Sequence, residues 1–205
     1  MNIEKKINAF RLHPYTTDKM SIRHQEILSK YNTLGEMKMA AVMVLILKKD
    51  DSYELLLTKR AQHLKNHAGE ICFPGGSSEP DDNSHQETAL RETKEEVGIN
   101  SSEIEIIGMI PAIPTFTGFI IHPIIGLVNE ATNIVIAPSE VESYFTVPFL
   151  YFLNYENKQE YVRRFNNTDI PIIEYHYNGA RIWGATAMII SLLCEKLMRE
   201  DNDTC

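Results

Sequence analysis

The chain has 205 residues, of which 43% are hydrophobic and 23% are charged. These proportions are ordinary for a globular protein of one domain with a sizeable core. The net charge of −8 argues against a general nucleic-acid-binding protein, although a local basic patch could still bind a phosphorylated small molecule.

The cysteines and the apolar pattern predict a cytoplasmic protein. The cysteines (Cys72, Cys194, Cys205) are odd in number and form no CxxC pair, so neither a disulfide framework nor a zinc site is expected. No apolar run reaches the roughly 18 residues that span a membrane, and the N-terminus has no signal for secretion. We therefore expect neither secretion nor a membrane partner.

The first part of the chain predicts a polar segment followed by a β-hairpin. Residues 1–35 are polar and partly helical in pattern, with "HPY" at 13–15 as a break. Residues 39–49 form an apolar, β-branched run that predicts a buried strand. Residues 52–60 predict its partner across a charged turn, "KKDDS". A long loop, 61–76, is then expected up to the glycines of "FPGG".

A well-delimited helix is predicted next. Ser84 with Glu87 three residues later forms a capping-box pattern, and Gly98 suits the left-handed position after a last turn. Ala89, Leu90, Thr93 and Val97 form its apolar stripe, so we expect this stripe to pack inward while the acidic residues point elsewhere.

The remainder alternates strands and helices. Strands are predicted at 103–110 and 119–128 around a Pro-rich loop, and 133–153 predicts a strand, an acidic loop and a helix. Residues 175–184 predict a short strand and turn before an amphipathic helix at 184–199. This mixture favours an α/β sandwich with a mixed sheet, with a polar segment at 1–35, one domain at 36–200 and a tail at 201–205.

Three carboxylates share one face of the predicted helix. At 100° per residue, Glu92, Glu95 and Glu96 occupy an arc about 100° wide, which includes an unfavourable like-charge i,i+4 pair. Such a face suits a hard divalent cation with oxygen ligands, such as Mg²⁺. Arg91 lies four residues before Glu95 and can orient its carboxylate. Taken alone, however, a charge run of this kind is more often a solvated helix face.

The segment from Gly75 to Ile99 resembles the signature of the Nudix hydrolases. The matching residues are "GG" at 75–76, Asp82 and "ALRETKEEVGI" at 89–99. Strict register places Ser77 and Asn83 where glycine and glutamate are usual, and a loop longer by one residue restores Gly76 and Asp82 to those places. The resemblance implies a Nudix-type α/β/α sandwich and a hydrolase of nucleoside diphosphate derivatives that uses Mg²⁺ or Mn²⁺.

A second motif is similar to that of the coenzyme A pyrophosphatase branch of this family. "LLTKRAQHLKNHAGEICFPGG" at 56–76 matches that branch except at Lys65, where arginine is usual. Lysine keeps the charge but loses the bidentate fork for phosphate. The branch implies cleavage of coenzyme A, or its acyl or disulfide forms, to 4′-phosphopantetheine derivatives and adenosine 3′,5′-bisphosphate. Another nucleoside diphosphate substrate, such as ADP-ribose or a dinucleoside polyphosphate, and a ligand-binding module without catalysis are the alternatives.

The resemblance also implies roles for individual residues. Metal ligands would be Glu92, Glu95 and Glu96, with the carbonyl of Gly75, while Arg91 orients a carboxylate and Asp82 orders the start of the helix or the metal shell. A further catalytic carboxylate is sought in Glu70 or Glu140, each of which could equally be a solvated loop acid. Substrate-binding candidates are Arg60, Lys65, His67, Gly76 and Phe116. A homodimer through the N-terminal segment or the last helix is a further hypothesis.

Overall fold

A mixed β-sheet forms the centre of the protein. The computed structural model describes residues 3–12, 37–50, 52–115, 117–129, 131–165 and 168–199. The strands of the central sheet are β1 (Lys38–Lys48), β2 (Tyr53–Arg60), β3 (Ile71–Cys72), β4 (Gly75–Ser77), β5 (Glu105–Met109), β6 (Ile113–Pro114), β7 (Phe119–Asn129) and β8 (Val141–Pro148). Strand β1 pairs parallel with β7 and antiparallel with β2, so the predicted mixed sheet is confirmed.

The predicted loop at 61–76 is partly wrong, because two short strands are built from its end. Near its C-terminal end β1 pairs with the start of β2, while Ala40–Val42 of β1 pair with β4. Strand β3 pairs with Thr58 and Lys59 near the end of β2. Strands β1 and β2 pair with each other only at one end. At the other end β3 pairs with β2 and β4 pairs with β1, so Gly75 and Gly76 lie within the sheet.

Helices cover both faces of the sheet. They are α1 (Ile3–Leu12), α2 (His85–Val97), α3 (Phe149–Leu153) and α4 (Gly184–Arg199). Ala89 and Val97 of α2 pack against Met43 and Leu45 of β1 on one face. On the opposite face, side chains of α1, α3 and α4 join Val44 and Ile46 of the same strand in a second core cluster. The predicted α/β/α sandwich is confirmed.

The N-terminal helix is packed onto the domain by a narrow apolar stripe. Ile3, Ile7 and Phe10 follow helical spacing and are buried. The ammonium of Lys6 donates a hydrogen bond to the carbonyl of Leu197 at 2.9 Å, which ties α1 to α4. The predicted break at 13–15 lies outside the described residues, and the division of the chain at 35 and 200 stays a prediction.

The second half of the chain departs from prediction in two regions and follows it in a third. A separate antiparallel sheet consists of β9 (Lys158–Phe165), β10 (Thr168–Tyr177) and β11 (Ala180–Trp183), and the sequence had indicated only a short strand and turn at 175–184. The strand expected at the beginning of 133–153 is wrong, because regular structure starts only at Val141. The helix expected after the acidic loop is confirmed only at Phe149–Leu153, since strand β8 comes first. By contrast, α4 has its predicted bounds, and Ala187, Ile190, Leu193 and Leu197 are buried as its spacing indicated. Within the described residues, no helix is long and apolar enough to cross a membrane.

Candidate active site

Helix α2 begins and ends where its capping residues predict. The hydroxyl oxygen of Ser84 accepts a hydrogen bond from the backbone N–H of Glu87 at 3.2 Å. Gly98 adopts φ 73°, which favours glycine, and its N–H donates to the carbonyl of Lys94 at 3.1 Å. The carboxylate of Glu87 accepts from the N–H of Asn83, so only the Ser84 half of the capping box forms as expected.

The three glutamates that were predicted to share one face of α2 lie in different environments. Ala89, Thr93 and Val97 are buried as predicted, but so is Glu96, with only 1% of its surface exposed. The expectation that the acids all point away from the buried face is therefore wrong for Glu96. The side chain of Glu92 is 13% exposed and that of Glu95 is 56% exposed. The buried face of α2 thus carries Glu96, and Glu95 lies at the surface.

The loop before β8 brings Glu140 to the same place. The backbone N–H groups of Val135 and Ala137 donate to the carbonyls of Val97 and Glu96, each at 3.0 Å. Carbonyls in the last turn of a helix lack partners within the helix, so these bonds anchor the loop on the end of α2. Carboxylate oxygens of Glu92, Glu96 and Glu140 consequently lie within 4.8 Å of one another. We call these three residues the acidic cluster.

Arg91 links the acidic cluster to the loop that precedes α2. Its guanidinium donates two hydrogen bonds to the carboxylate of Asp82, at 3.1 and 3.0 Å, and a third to Glu92 at 2.8 Å. Asp82 also accepts from the hydroxyl of Thr88 at 2.9 Å. These bonds hold the pKa of Asp82 well below its usual range and raise the pKa of Arg91. Arg91 therefore orients Glu92 more closely than Glu95, whose carboxylate is 3.4 Å away.

The two glycines of β4 let the sheet approach the acidic cluster. The N–H of Gly75 donates to Glu96 at 3.3 Å. A Cβ atom on Gly76 would lie 2.4 Å from the Oε1 atom of Glu92, and one on Gly75 would lie 2.4 Å from the backbone oxygen of Ala41. Gly76 therefore leaves room for a carboxylate, whereas Gly75 leaves room for the neighbouring strand.

Burial and charge make Glu96 a weak acid in the absence of a cation. Burial raises the pKa of Glu96 to about 8, and the charges of Glu92 and Glu140 act in the same direction. The guanidinium of Arg60, 3.6 Å away, and the N–H of Gly75 oppose this rise in pKa. Burial also raises the pKa of Glu92. A cation bound among these carboxylates would stabilise their ionised forms and so lower their pKa values.

The remaining predicted residues are spread along the loop after β2. Arg60, at the end of β2, is next to Glu96, and its buried Nε has no hydrogen-bond partner among the described residues. His67 contacts the carboxylate of Glu70 at 2.9 Å, and within the described residues Glu70 is not part of the acidic cluster. Lys65 is exposed in the same loop. Phe116 lies outside the described residues.

One feature near the start of α2 had no signal in the sequence. The imidazole rings of His85 and His122 stack with their centres 3.5 Å apart and their planes 13° from parallel. His122 is on β7, and only the docking of α2 on the sheet brings it to His85. The sequence also did not indicate the bidentate contact between Asp82 and Arg91. It indicated a role for each of these residues, but not that the two side chains bind each other.

The acidic cluster fits a hard divalent cation. All three side chains offer carboxylate oxygens, which are the ligands that Mg²⁺ and Mn²⁺ take. Glu95 is not part of this cluster in the described residues, and its exposed side chain would have to turn inward to bind the same ion. For Gly75 the contact present is through its N–H, whereas the sequence indicated its carbonyl.

A family model and several relatives match this chain. The family model described as the NUDIX domain matches residues 37–165. "Uncharacterized Nudix hydrolase NudL" of Yersinia pestis (strain Pestoides F) is 33% identical over 198 residues, covering 93% of this chain and 92% of that protein. The relative from Yersinia pseudotuberculosis serotype I (strain IP32953) has the same identity and coverage.

Two solved structures share the fold. The MutT/nudix family protein from Enterococcus faecalis superposes with a TM-score of 0.53 and 16% identity, over 98% of this chain and 75% of that one. The MutT protein from Methanosarcina mazei Go1 superposes with a TM-score of 0.51 and 18% identity, over 82% of this chain and 97% of that one. At these identities the likeness is one of fold alone.

Proposed function

This chain belongs to the Nudix family and is a Nudix hydrolase, and we propose that it is a metal-dependent pyrophosphatase of coenzyme A or its acyl or disulfide forms. The products would be adenosine 3′,5′-bisphosphate and 4′-phosphopantetheine or its derivative. The reaction breaks one P–O bond of the pyrophosphate and adds the elements of water across it.

One observation carries the proposed substrate. The motif at 56–76, which resembles that of the coenzyme A pyrophosphatase branch, runs from β2 through the loop to Gly75 and Gly76. Two residues of this motif contact the acidic cluster: Arg60 lies 3.6 Å from Glu96, and the N–H of Gly75 donates to the same carboxylate. A branch-specific motif in contact with the cluster supports a role in choosing the substrate.

Glu92 and Glu96 would hold the divalent cation beside Glu140, and Arg91 would keep Glu92 directed toward it. When bound, Mg²⁺ or Mn²⁺ supplies positive charge that offsets the phosphate oxygens and lowers the pKa of water. Glu95 would join these ligands by rotation of its exposed side chain. Arg91 acts from a fixed position because two of its nitrogens bind Asp82.

Glu140 is the better candidate for accepting the proton from the attacking water. Its carboxylate belongs to the acidic cluster, where the scissile phosphate would lie. Glu70 is already engaged by His67 at 2.9 Å, which fits a role in shaping the loop. Arg60 adds a cationic guanidinium beside the cluster that can donate to a phosphate oxygen.

Lys65 and His67 would supply further contacts for the phosphates of coenzyme A. Both are exposed on the loop that joins Arg60 to the glycine turn. Lysine offers a point charge where arginine would offer two parallel hydrogen bonds, so we expect weaker selection for the 3′-phosphate than an arginine would give. Phe116 is retained as a candidate contact to the adenine.

Product analysis tests the proposed substrate. The protein is incubated with coenzyme A or with ADP-ribose, in Mg²⁺ or Mn²⁺, beside a Glu96→Gln variant, and the products are separated by chromatography. Release of adenosine 3′,5′-bisphosphate that is lost in the variant supports the proposal. Intact coenzyme A with cleaved ADP-ribose would overturn the substrate and keep the hydrolase, which is the second candidate considered from the sequence.

A further inference from the structure

A row of three side chains crosses the sheet beside the acidic cluster. Tyr144 in β8 is paired with Thr58 in β2, and Thr58 is paired with Cys72 in β3. Residues directly opposite each other on neighbouring strands direct their side chains to the same face. The hydroxyl of Thr58 accordingly lies 3.3 Å from the thiol sulfur of Cys72. We call Cys72, Thr58 and Tyr144 the cross-strand row.

The cross-strand row lies on the face that carries α2. Alternate residues of a strand share a face, so Leu56 and Thr58 of β2 point to the same side. Leu56 packs in the cluster that contains Ala89 and Val97 of α2. Arg60 reaches Glu96, also of α2, at 3.6 Å. The cross-strand row is therefore adjacent to the acidic cluster on the same side of the sheet.

Tyr144 is the exposed end of this row. Helix α2 packs over β1, β4 and β7, so it lies away from the edge formed by β8. Tyr144 is 42% exposed, whereas Thr58 beside it is fully buried. On the opposite face of β8, Val147 is buried in the second core cluster and Phe145 packs against it. The ring of Tyr144 is thus held on a rigid strand without serving the main core.

We infer that Tyr144 is a specificity-determining residue whose ring stacks on the nucleobase of the substrate. Neighbouring strands are about 5 Å apart and residues along a strand are about 3.4 Å apart, so Tyr144 lies on the order of 10 Å from Arg60, across the register shift between Lys59 and Arg60. With the pyrophosphate at the acidic cluster and Arg60, a nucleoside extending over the sheet would reach this ring. The inference rests on the proposed function only for placing the pyrophosphate there.

The chemistry of the ring favours the nucleobase over the phosphopantetheine arm. A tyrosine ring and a purine both offer flat π surfaces and gain from offset stacking, whereas the flexible arm has no flat surface. The hydroxyl contributes little to stacking, so the Tyr144→Phe substitution should preserve binding of the nucleobase. Removal of the ring should weaken binding of the nucleoside half of the substrate and leave binding of the other half unchanged.

Binding of the two product halves tests this assignment. Adenosine 3′,5′-bisphosphate and 4′-phosphopantetheine are titrated by calorimetry, in Ca²⁺, into the wild type, Tyr144→Ala and Tyr144→Phe. Loss of one stacked base predicts affinity about 10-fold to 100-fold weaker for the adenosine half with Tyr144→Ala and a change below about twofold with Tyr144→Phe. Unchanged affinity for the adenosine half, or equal losses for both halves, would overturn the inference.

Steady-state kinetics provide the second measurement. Tyr144→Ala is expected to raise KM for the substrate that the wild type hydrolyses, with little change in kcat, because the ring binds a part remote from the reacting phosphorus. The control is Tyr155→Ala, which removes another exposed tyrosine, 72% exposed and outside the central sheet. A fall in kcat at constant KM would contradict the assignment. Thermal unfolding of each variant confirms that the fold is retained.

The kinetic outcome separates the two proposals. If coenzyme A is hydrolysed normally by Tyr144→Ala, the inference on Tyr144 fails and the proposed function stands. If the wild type cleaves ADP-ribose and leaves coenzyme A intact, the proposed substrate fails. The binding titrations are then repeated with AMP and ribose 5-phosphate, which are the two halves of ADP-ribose. A selective loss of AMP binding in Tyr144→Ala would still support the stacking role, and unchanged AMP binding would overturn it.

Discussion

Replacing Gly76 by alanine tests whether the position of Glu92 matters for activity independently of the fold. A Cβ atom at Gly76 would lie 2.4 Å from Oε1 and 2.5 Å from the carboxyl carbon of Glu92. Both atoms belong to the end of a flexible side chain, so Glu92 can move aside while the strand keeps its place. Van der Waals separation requires the carboxylate to retreat by roughly 1 Å.

A displacement of this size has a measurable consequence. Moving Glu92 by about 1 Å breaks its 2.8 Å contact with Arg91 and enlarges the acidic cluster. Misplacement of a reacting group by about 1 Å can cost on the order of 100-fold in rate. We therefore expect kcat/KM of Gly76→Ala to fall about 100-fold, with a melting temperature within about 2 °C of the wild type.

Gly75→Ala is the matched control. The same added atom would lie 2.4 Å from the backbone oxygen of Ala41 and 2.7 Å from Cα of Val42. These atoms belong to β1 and cannot move without disturbing the central sheet, so overpacking should destabilise the protein by about 1–3 kcal/mol. The assays are steady-state hydrolysis and thermal unfolding of both variants. Full activity in Gly76→Ala, or equal destabilisation by the two substitutions, would refute the reasoning.

Three further predictions concern the acidic cluster. Because burial raises the pKa of Glu96 from 4.5 to about 8, the contribution of Glu96 to the stability of the metal-free protein should be full below pH 4.5 and should be lost as the pH rises through about 8. Thermal melts in EDTA should show this loss of stability in the wild type and not in Glu96→Gln, and Mg²⁺ should reduce the loss. Parallel curves of melting temperature against pH for the two proteins would contradict the prediction. Asp82→Asn should weaken Mg²⁺ binding about 10-fold to 100-fold by releasing Arg91, as measured by calorimetry, and unchanged affinity would show that Arg91 needs no such anchor. Glu140→Gln should lower kcat at least about 100-fold while Glu70→Gln changes it less than about 10-fold, and the reverse order in steady-state assays would make Glu70 the proton acceptor.

The sequence by itself determined the elements whose signals are local. Ser84 and Gly98 delimit α2 because their side-chain and backbone preferences act within one turn of the helix. The hairpin of β1 and β2 and the helix α4 follow from hydrophobic spacing over neighbouring residues. The motifs at 56–76 and 89–99 likewise indicated the family before any contact was known.

Only the tertiary structure decided how these residues meet. Glu140 joins Glu92 and Glu96 because backbone groups of its loop satisfy the last carbonyls of α2, a contact between segments distant in the chain. Glu96 is buried because α2 docks with that position against β4, which helical spacing alone could not indicate. The cross-strand row likewise depends on the pairing of β8 with β2. Strand pairing and helix docking depend on nonlocal burial and hydrogen bonding, and these terms have no counterpart in any single stretch of sequence.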